Sequence, residues 1–146
     1  MIRNLQKEQL QKIVDFIKDN YEAPEFLIPE SVQQLVHEHG DSEIVILEDE
    51  YGIEGVTFFK FLSPLLVEKY RTVVRLDVRG AGISKKLDDT VENLAYTAGA
   101  KKIKTNIYAN NLPSIFGRLK RGYLIEGLLR NHDGPGMHEY ILGKEL

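Results

Sequence analysis

One short run in this chain has the make-up of an anion site. Arg79-Gly80-Ala81-Gly82-Ile83-Ser84 combines two glycines, an arginine and a hydroxyl. Glycines let a backbone turn tightly and approach a ligand closely. Where such a run joins a strand to a helix, the first-turn amides have no intrahelical acceptor, and the helix dipole adds partial positive charge. Arg79 adds a full charge of the kind that suits phosphate. A dinucleotide fingerprint, G-x-G-x-x-G, is excluded because Lys85 stands where its third glycine must be. That fingerprint also belongs to an early βαβ unit, whereas this run lies mid-chain behind several strand-like segments. The histidines assign no metal site. His37 and His39 are two apart on a helix and face different ways. His132, Asp133, His138 and Glu139 flank a late turn, where exposed hairpin residues are the common case.

The elements around the run follow from periodicity. Residues 2–5 read as a short first strand. Leu10, Ile13, Val14 and Ile17 fall at helical spacing, which predicts an amphipathic helix over 7–20, stopped at Asn20 and then by Pro24 and Pro29. A second helix over 30–39 buries Val32, Leu35 and Val36, with Gly40 as its cap. Three β-rich segments, 43–47, 53–62 and 65–78, form an antiparallel meander that leads into the glycine run. The helix after it, 83–98, should bury Ile83, Leu87, Val91, Leu94 and Ala98 and leave Lys85 and Asp88 outside. Ile103, Thr105 and Ile107 alternate with polar residues in a strand over 102–108. A short helix over 112–121 and a hairpin of 123–129 with 138–142, across Asp133-Gly134-Pro135-Gly136, complete the order βααβββαβαββ.

Composition sets the outer bounds. With 146 residues the chain is long enough for one domain with a proper core. Hydrophobic and charged contents of 42% and 28% are those of an ordinary globular protein. A net charge of −3 leaves no basic footprint, so no nucleic-acid partner is expected. The chain contains no cysteine, which removes disulfides and a thiol nucleophile. No apolar run reaches membrane-spanning length and the N-terminus lacks an apolar leader, so the expectation is a cytoplasmic protein with no membrane partner.

The glycine run resembles motif A of the GNAT N-acetyltransferase superfamily: Arg or Gln, two residues, Gly, one residue, then Gly or Ala. Arg79, Gly82 and Ser84 occupy the defining positions, Ser84 being a departure. The resemblance continues through Leu87, Ala95, Gly99-Ala100 and Ile103. It resumes at Asn111-Leu112-Pro113-Ser114-Ile115 and at Lys120-Arg121-Gly122-Tyr123, where the family has Asn-x-x-Ala-Ile and Lys-x-Gly-Phe. The C-terminal half matches by motif, the rest by element order. The resemblance implies an α/β (α+β) fold in a single domain over residues 1–146, with a mixed twisted sheet of about seven strands flanked by about four helices.

It also implies acetyl-CoA as the cofactor. Backbone groups of Val74, Arg75 and Leu76 would pair with the pantetheine arm, and Arg79, Gly80, Ala81, Gly82, Ile83 and Ser84 would bind the pyrophosphate. Asn111 would contact the cofactor arm; read from its residue type alone, it is equally a helix N-cap. Arg118 falls where many members carry a tyrosine that protonates the departing thiolate. An arginine stays charged at any working pH, so its role would be to stabilise thiolate or phosphate charge. The plain alternative is a solvated helix-surface arginine. Tyr108 and Tyr123 are substitute acids. No base stands out: Glu68, with Glu54 and Glu126, is a candidate, and each is more often a solvated strand residue. Phe26 and Leu27 either wall the acceptor site or cap the core. The implied activity is acetyl transfer from acetyl-CoA to a primary amine of a small molecule or peptide. The alternative is a non-catalytic acyl-CoA-binding or protein-interaction module that keeps the fold. A homodimer is among the assemblies this reading allows.

Overall fold

The computed structural model describes residues 1–146. Four helices and six strands follow the order α1 (Lys7–Asn20), α2 (Val32–His39), β1 (Glu43–Asp49), β2 (Gly52–Ser63), β3 (Leu66–Val74), α3 (Ile83–Thr97), β4 (Lys102–Tyr108), α4 (Leu112–Lys120), β5 (Leu124–Leu129) and β6 (Glu139–Glu145). The strands form one mixed sheet in the order β1-β2-β3-β4-β6-β5. β1 and β2 are antiparallel, β3 and β4 are parallel, and β6 runs antiparallel to both β4 and β5. The mixed α/β class with four helices is as expected, with six strands where about seven were anticipated.

The missing strand is the first. Asn4 N–H donates to Met1 O and Leu5 N–H to Ile2 O, which closes a 3₁₀ turn over Ile2–Asn4. Ile2 is still fully buried, and its N–H donates to Ser42 O at 2.8 Å. The segment therefore anchors through one apolar side chain rather than through a ladder.

The chain divides into two compact units. The first comprises Met1–Lys60 and Arg71–Val91. Its core is drawn from α1 (Leu10, Ile13, Val14, Ile17), Leu35 of α2, and Val56 and Phe58 of β2. α2 starts later than its periodicity suggests because Ser31 Oγ accepts from Gln34 N–H at 3.1 Å and caps it. β3 ends at Val74, not at residue 78. Beyond it Val78 N–H donates to Arg75 O, making a 3₁₀ turn over Leu76–Val78.

Within this unit α3 approaches β2 closely at Gly55. A Cβ placed there would lie 2.8 Å from Ile83 Cγ2 and 3.0 Å from Leu87 Cδ1. Only a residue without a side chain lets the first turns of α3 settle at that depth. The buried stripe of α3 is Ile83, Leu87, Val91 and Ala95, each four residues on, joined by Asp88. Leu94 is 48% exposed and Ala98 is also exposed, so the expected stripe was rotated. A strict four-residue step carries the inner face from Val91 to Ala95, leaving Leu94 to the side. Lys85 is outside as expected; Asp88 is inside.

The second unit comprises Phe61–Tyr70 and Glu92–Leu146. Ile103, Thr105 and Ile107 of β4 form its inner face with Val67, Ile115, Tyr123 and Leu142. Across the last loop Asn131 takes a left-handed φ of 51°, and His138 Nδ1 accepts its N–H at 3.0 Å. No group of three or more His, Asp or Glu side chains converges to hold a metal ion.

The contact at Gly55 makes a direct test. Gly55→Val should lower unfolding free energy by about 1–3 kcal/mol through overpacking against Ile83 and Leu87. Urea denaturation reads this, and an unchanged midpoint would mean that α3 does not lie so near β2.

Candidate functional site

The glycine run sits where sequence placed it, between the end of β3 and the start of α3. Gly80 and Gly82 have φ values of 81° and 83°, in the left-handed region that favours glycine. A Cβ at either would meet nothing within 4 Å, so the backbone faces open space on that side. Gly82 O accepts from Lys86 N–H at 3.0 Å, which makes Gly82 the residue that opens α3. The N–H groups of Ile83, Ser84 and Lys85 therefore have no acceptor within the helix. Ala81 N–H is committed, donating to Val78 O at 3.2 Å.

The approach to the loop is rigidly pinned within the first unit. Arg75 Nη1 and Nη2 donate to the two carboxylate oxygens of Asp49 at 3.0 and 2.7 Å, and its Nε donates to Asp77 at 2.6 Å. Such a fork fixes position as well as charge. The Arg75 hydrogen bond holds the Asp49 carboxyl at a pKa of about 2. Arg75 N–H donates to Glu54 O at 2.8 Å and Leu76 N–H to Asn20 Oδ1 at 3.2 Å. Of the three residues suggested for pantetheine pairing, Arg75 and Leu76 have their amide donors engaged within the protein. Val74 O accepts from Arg79 Nε at 3.4 Å.

Arg79 itself reaches back to the end of α1. Its Nη1 donates to Glu22 Oε2 at 2.9 Å and its Nη2 to Asn20 O at 2.7 Å. Its charge is shared with Glu22, and it ties the loop to the segment after α1. Phe26, 58% exposed, and the half-buried Leu27 lie on a 3₁₀ turn a few residues further along that segment. Asn20 was read from sequence only as a helix stop, and Glu22 and Asp49 were not read as loop partners. Their only signal was polarity at helix and strand ends, which is common to most such positions.

The second unit holds the remaining candidates. Asn111 takes its N-cap role at α4, its Oδ1 accepting from Ser114 N–H at 3.4 Å. Arg118 is 7% exposed, which removes the solvated-surface reading. Its guanidinium carbon lies 5.8 Å from the centre of the Tyr123 ring, and Lys144 Nζ lies 5.8 Å from the same ring. Tyr123 O–H donates to Glu92 Oε1 at 3.3 Å, and Lys144 Nζ to Glu92 Oε2 at 2.6 Å. Burial, then the Glu92 charge, pushes the Tyr123 phenol well above its ordinary value. Tyr108 O–H donates to Asp133 Oδ2 at 2.6 Å. Glu68 is ion-paired with Lys104 at 2.7 Å, and Glu126 with Lys102 at 2.6 Å. Both tyrosines and two of the three suggested base carboxylates therefore have partners of their own.

Sequence reasoning missed Lys69, which is 1% exposed on β3. Burial, then the charges of Arg118 and Arg121, holds its amine well below the ordinary lysine range, against the pull of Glu92. The alternation Val67, Lys69 on the inward face of β3 was the available signal.

No protein-family model matches this chain, and no curated protein matches it in sequence. Solved structures do match it in three dimensions. The ribosomal-protein-S18-alanine N-acetyltransferase of Escherichia coli superposes with a TM-score of 0.81 at 14% identity, covering 97% of this chain and 90% of that one. An aminoglycoside 6'-N-acetyltransferase complexed with coenzyme A gives 0.78 at 16%, covering 96% and 92%. A GNAT family acetyltransferase from Elizabethkingia anophelis with acetyl-CoA bound gives 0.73 at 15%, covering 90% and 89%. The fold is that of the GNAT acetyltransferases. At such identities the likeness speaks for the fold, and site chemistry has to be argued from this chain's own residues.

Lys69 yields a pH test. Its folded pKa lies below the value of about 10.4 expected in the unfolded chain. Between the two, the unfolded chain binds the extra proton, so stability rises with pH and is lost as pH falls. From neutral pH to about 10 the unfolding free energy should climb, and Lys69→Met should flatten that climb. Parallel profiles for the two proteins in urea titrations would remove Lys69 as a buried titrating amine.

Proposed function

We propose that this protein is an N-acetyltransferase that moves an acetyl group from acetyl-CoA to a primary amine of a small molecule or peptide. The observation that carries the reading is the loop of the first unit. Two left-handed glycines open α3 with its first-turn amides exposed, on a fold shared with acetyltransferases solved with coenzyme A and acetyl-CoA. Open space beside Gly80 and Gly82 fits the approach of a pyrophosphate.

In this reading the amides of Ile83, Ser84 and Lys85 hold the pyrophosphate, and the helix dipole adds to their hold. Ser84 Oγ supplies a further donor. Acetyl-CoA brings an acyl group activated as a thioester. Transfer forms a bond from the amine nitrogen to the acyl carbon and breaks the bond from that carbon to sulfur. The amine loses a proton and the thiolate gains one. Arg118, charged at every working pH, is assigned to stabilising negative charge rather than to donating a proton. The phenols of Tyr108 and Tyr123 are weaker assignments, because each already donates its proton to a carboxylate.

That commitment of both phenols favours a second reading, a module that binds acyl-CoA without turning it over. Thiol release from acetyl-CoA with a panel of amines separates the two: steady release is expected, and binding without release would favour the module. Coenzyme A should raise the melting temperature of the unaltered protein. Gly82→Asp should abolish that rise while leaving the circular dichroism spectrum intact, since the new carboxylate stands before the first-turn amides. A Gly82→Asp protein that still responds fully to coenzyme A would overturn the pyrophosphate assignment.

A further inference from the structure

We propose that Arg71, framed by Tyr21, Phe58, His39 and Lys60, binds a carboxylate carried by the acceptor, which is then a small molecule bearing both an amine and a carboxylate. What is said of the acceptor rests on the acetyltransferase reading above, whereas the anion site stands on residues of the first unit alone.

The backbone singles out Arg71. It lies within β3 with φ at 44°, in the left-handed region. The other non-glycine residue found there is Asn131, whose short polar side chain suits that region; a long side chain in mid-strand does not. Such strain persists only where the surroundings hold it, and it gathers at ligand sites.

The strand neighbours fix the face. Thr72 meets Thr57 of β2 hydroxyl to hydroxyl at 2.9 Å. Arg71 instead lies against Phe58, its guanidinium carbon 6.0 Å from the centre of that ring. Thr57 and Phe58 are adjacent on a strand and point to opposite faces. Gly55, which lies against Ile83 and Leu87 of α3, shares the Thr57 face. Arg71 therefore stands on the face away from α3, and an anion there does not compete with a pyrophosphate at the first-turn amides.

The surroundings suit a carboxylate. The guanidinium carbon is also 5.9 Å from the centre of the Tyr21 ring. Two rings hold a guanidinium by its face and add no negative charge, and the fork of donors on its edge matches a planar carboxylate. His39, whose ring lies 5.6 Å from that of Phe58, reports the local field. Burial, then the Arg71 charge, holds its pKa at about 4; Arg71 outweighs the opposing pull of Glu38, and Lys60 adds to Arg71. The spot is net positive, and His39 is neutral at working pH. Tyr21, His39, Lys60 and Arg71 are all half-buried, sheltered enough to strengthen a charged contact and open enough to admit a ligand.

The site also adjoins the cofactor loop. Tyr21 directly follows Asn20, whose Oδ1 and O hold Leu76 N–H and Arg79. Arg71 precedes Val74 by three residues, about 10 Å of strand. One segment and one strand thus border both the loop and the anion site.

Thiol release from acetyl-CoA, measured with a panel of free amino acids and with their carboxamides, is the test. The free acids should be preferred by about 10- to 100-fold in kcat/KM, the worth of one charged contact. Arg71→Asn, chosen because asparagine tolerates the left-handed backbone, should raise KM for the acids until that preference is lost. Should this variant fail to fold, Lys60→Gln should narrow the preference. Equal or better use of the carboxamides, or of O-phosphoethanolamine, overturns the carboxylate assignment and leaves the acetyltransferase reading intact. So does a preference that survives the substitution. If no amine supports release, the acetyltransferase reading falls and the His39 ring decides the anion site. Its titration midpoint, followed by NMR, should rise when the free amino acids are added, because a bound negative charge favours the imidazolium, and should ignore the carboxamides. A midpoint that ignores both, or answers both alike, overturns the site.

Discussion

The fork from Arg75 to Asp49 and Asp77 is the constraint on which the loop depends. β3 must stop at Val74, and the chain must turn and enter α3 with its first amides outward. A strand that ran on to residue 78 would carry the glycines elsewhere. Arg75 prevents this by binding both oxygens of Asp49 on β1 while its Nε holds Asp77 in the 3₁₀ turn. Asn20 and Glu22 then secure the far side through Leu76 and Arg79. Polar groups around the loop are satisfied by one another, and the first-turn amides are left for an outside acceptor.

The second unit poses a different physical problem. Lys69, Arg118 and Lys144 gather near one tyrosine and one carboxylate, Tyr123 and Glu92, in a largely dry region. On α4 the guanidinium of Arg118 is buried beside the Tyr123 ring, while Leu112, Phe116 and Leu119 are exposed.

How much of this was legible in the sequence depends on how local each feature is. The glycine loop, the existence of the helix after it and the β4 alternation are written in contiguous residues and stand, whereas the far end of the helix's buried stripe does not. The cap role of Asn111 was open by residue type and is settled by its bond to Ser114 N–H. The depth of α3, by contrast, depends on Gly55, a residue on another element whose missing side chain admits Ile83 and Leu87. The end of β3 is decided by Asp49, 26 positions away from Arg75. Glu68 looked like a free carboxylate until the parallel register set it opposite Lys104. For Arg118 the solvated alternative stayed open because burial is a property of the packing, not of the motif.

The central claim is that the first-turn amides of α3 bind the pyrophosphate of coenzyme A. Backbone amide resonances followed by NMR during a coenzyme A titration test it most directly. The account predicts that the N–H signals of Ile83, Ser84 and Lys85 shift most, saturably, and that pantetheine lacking the pyrophosphate leaves them in place. Signals of these residues that stay still while others move, or that move equally with pantetheine alone, would contradict it.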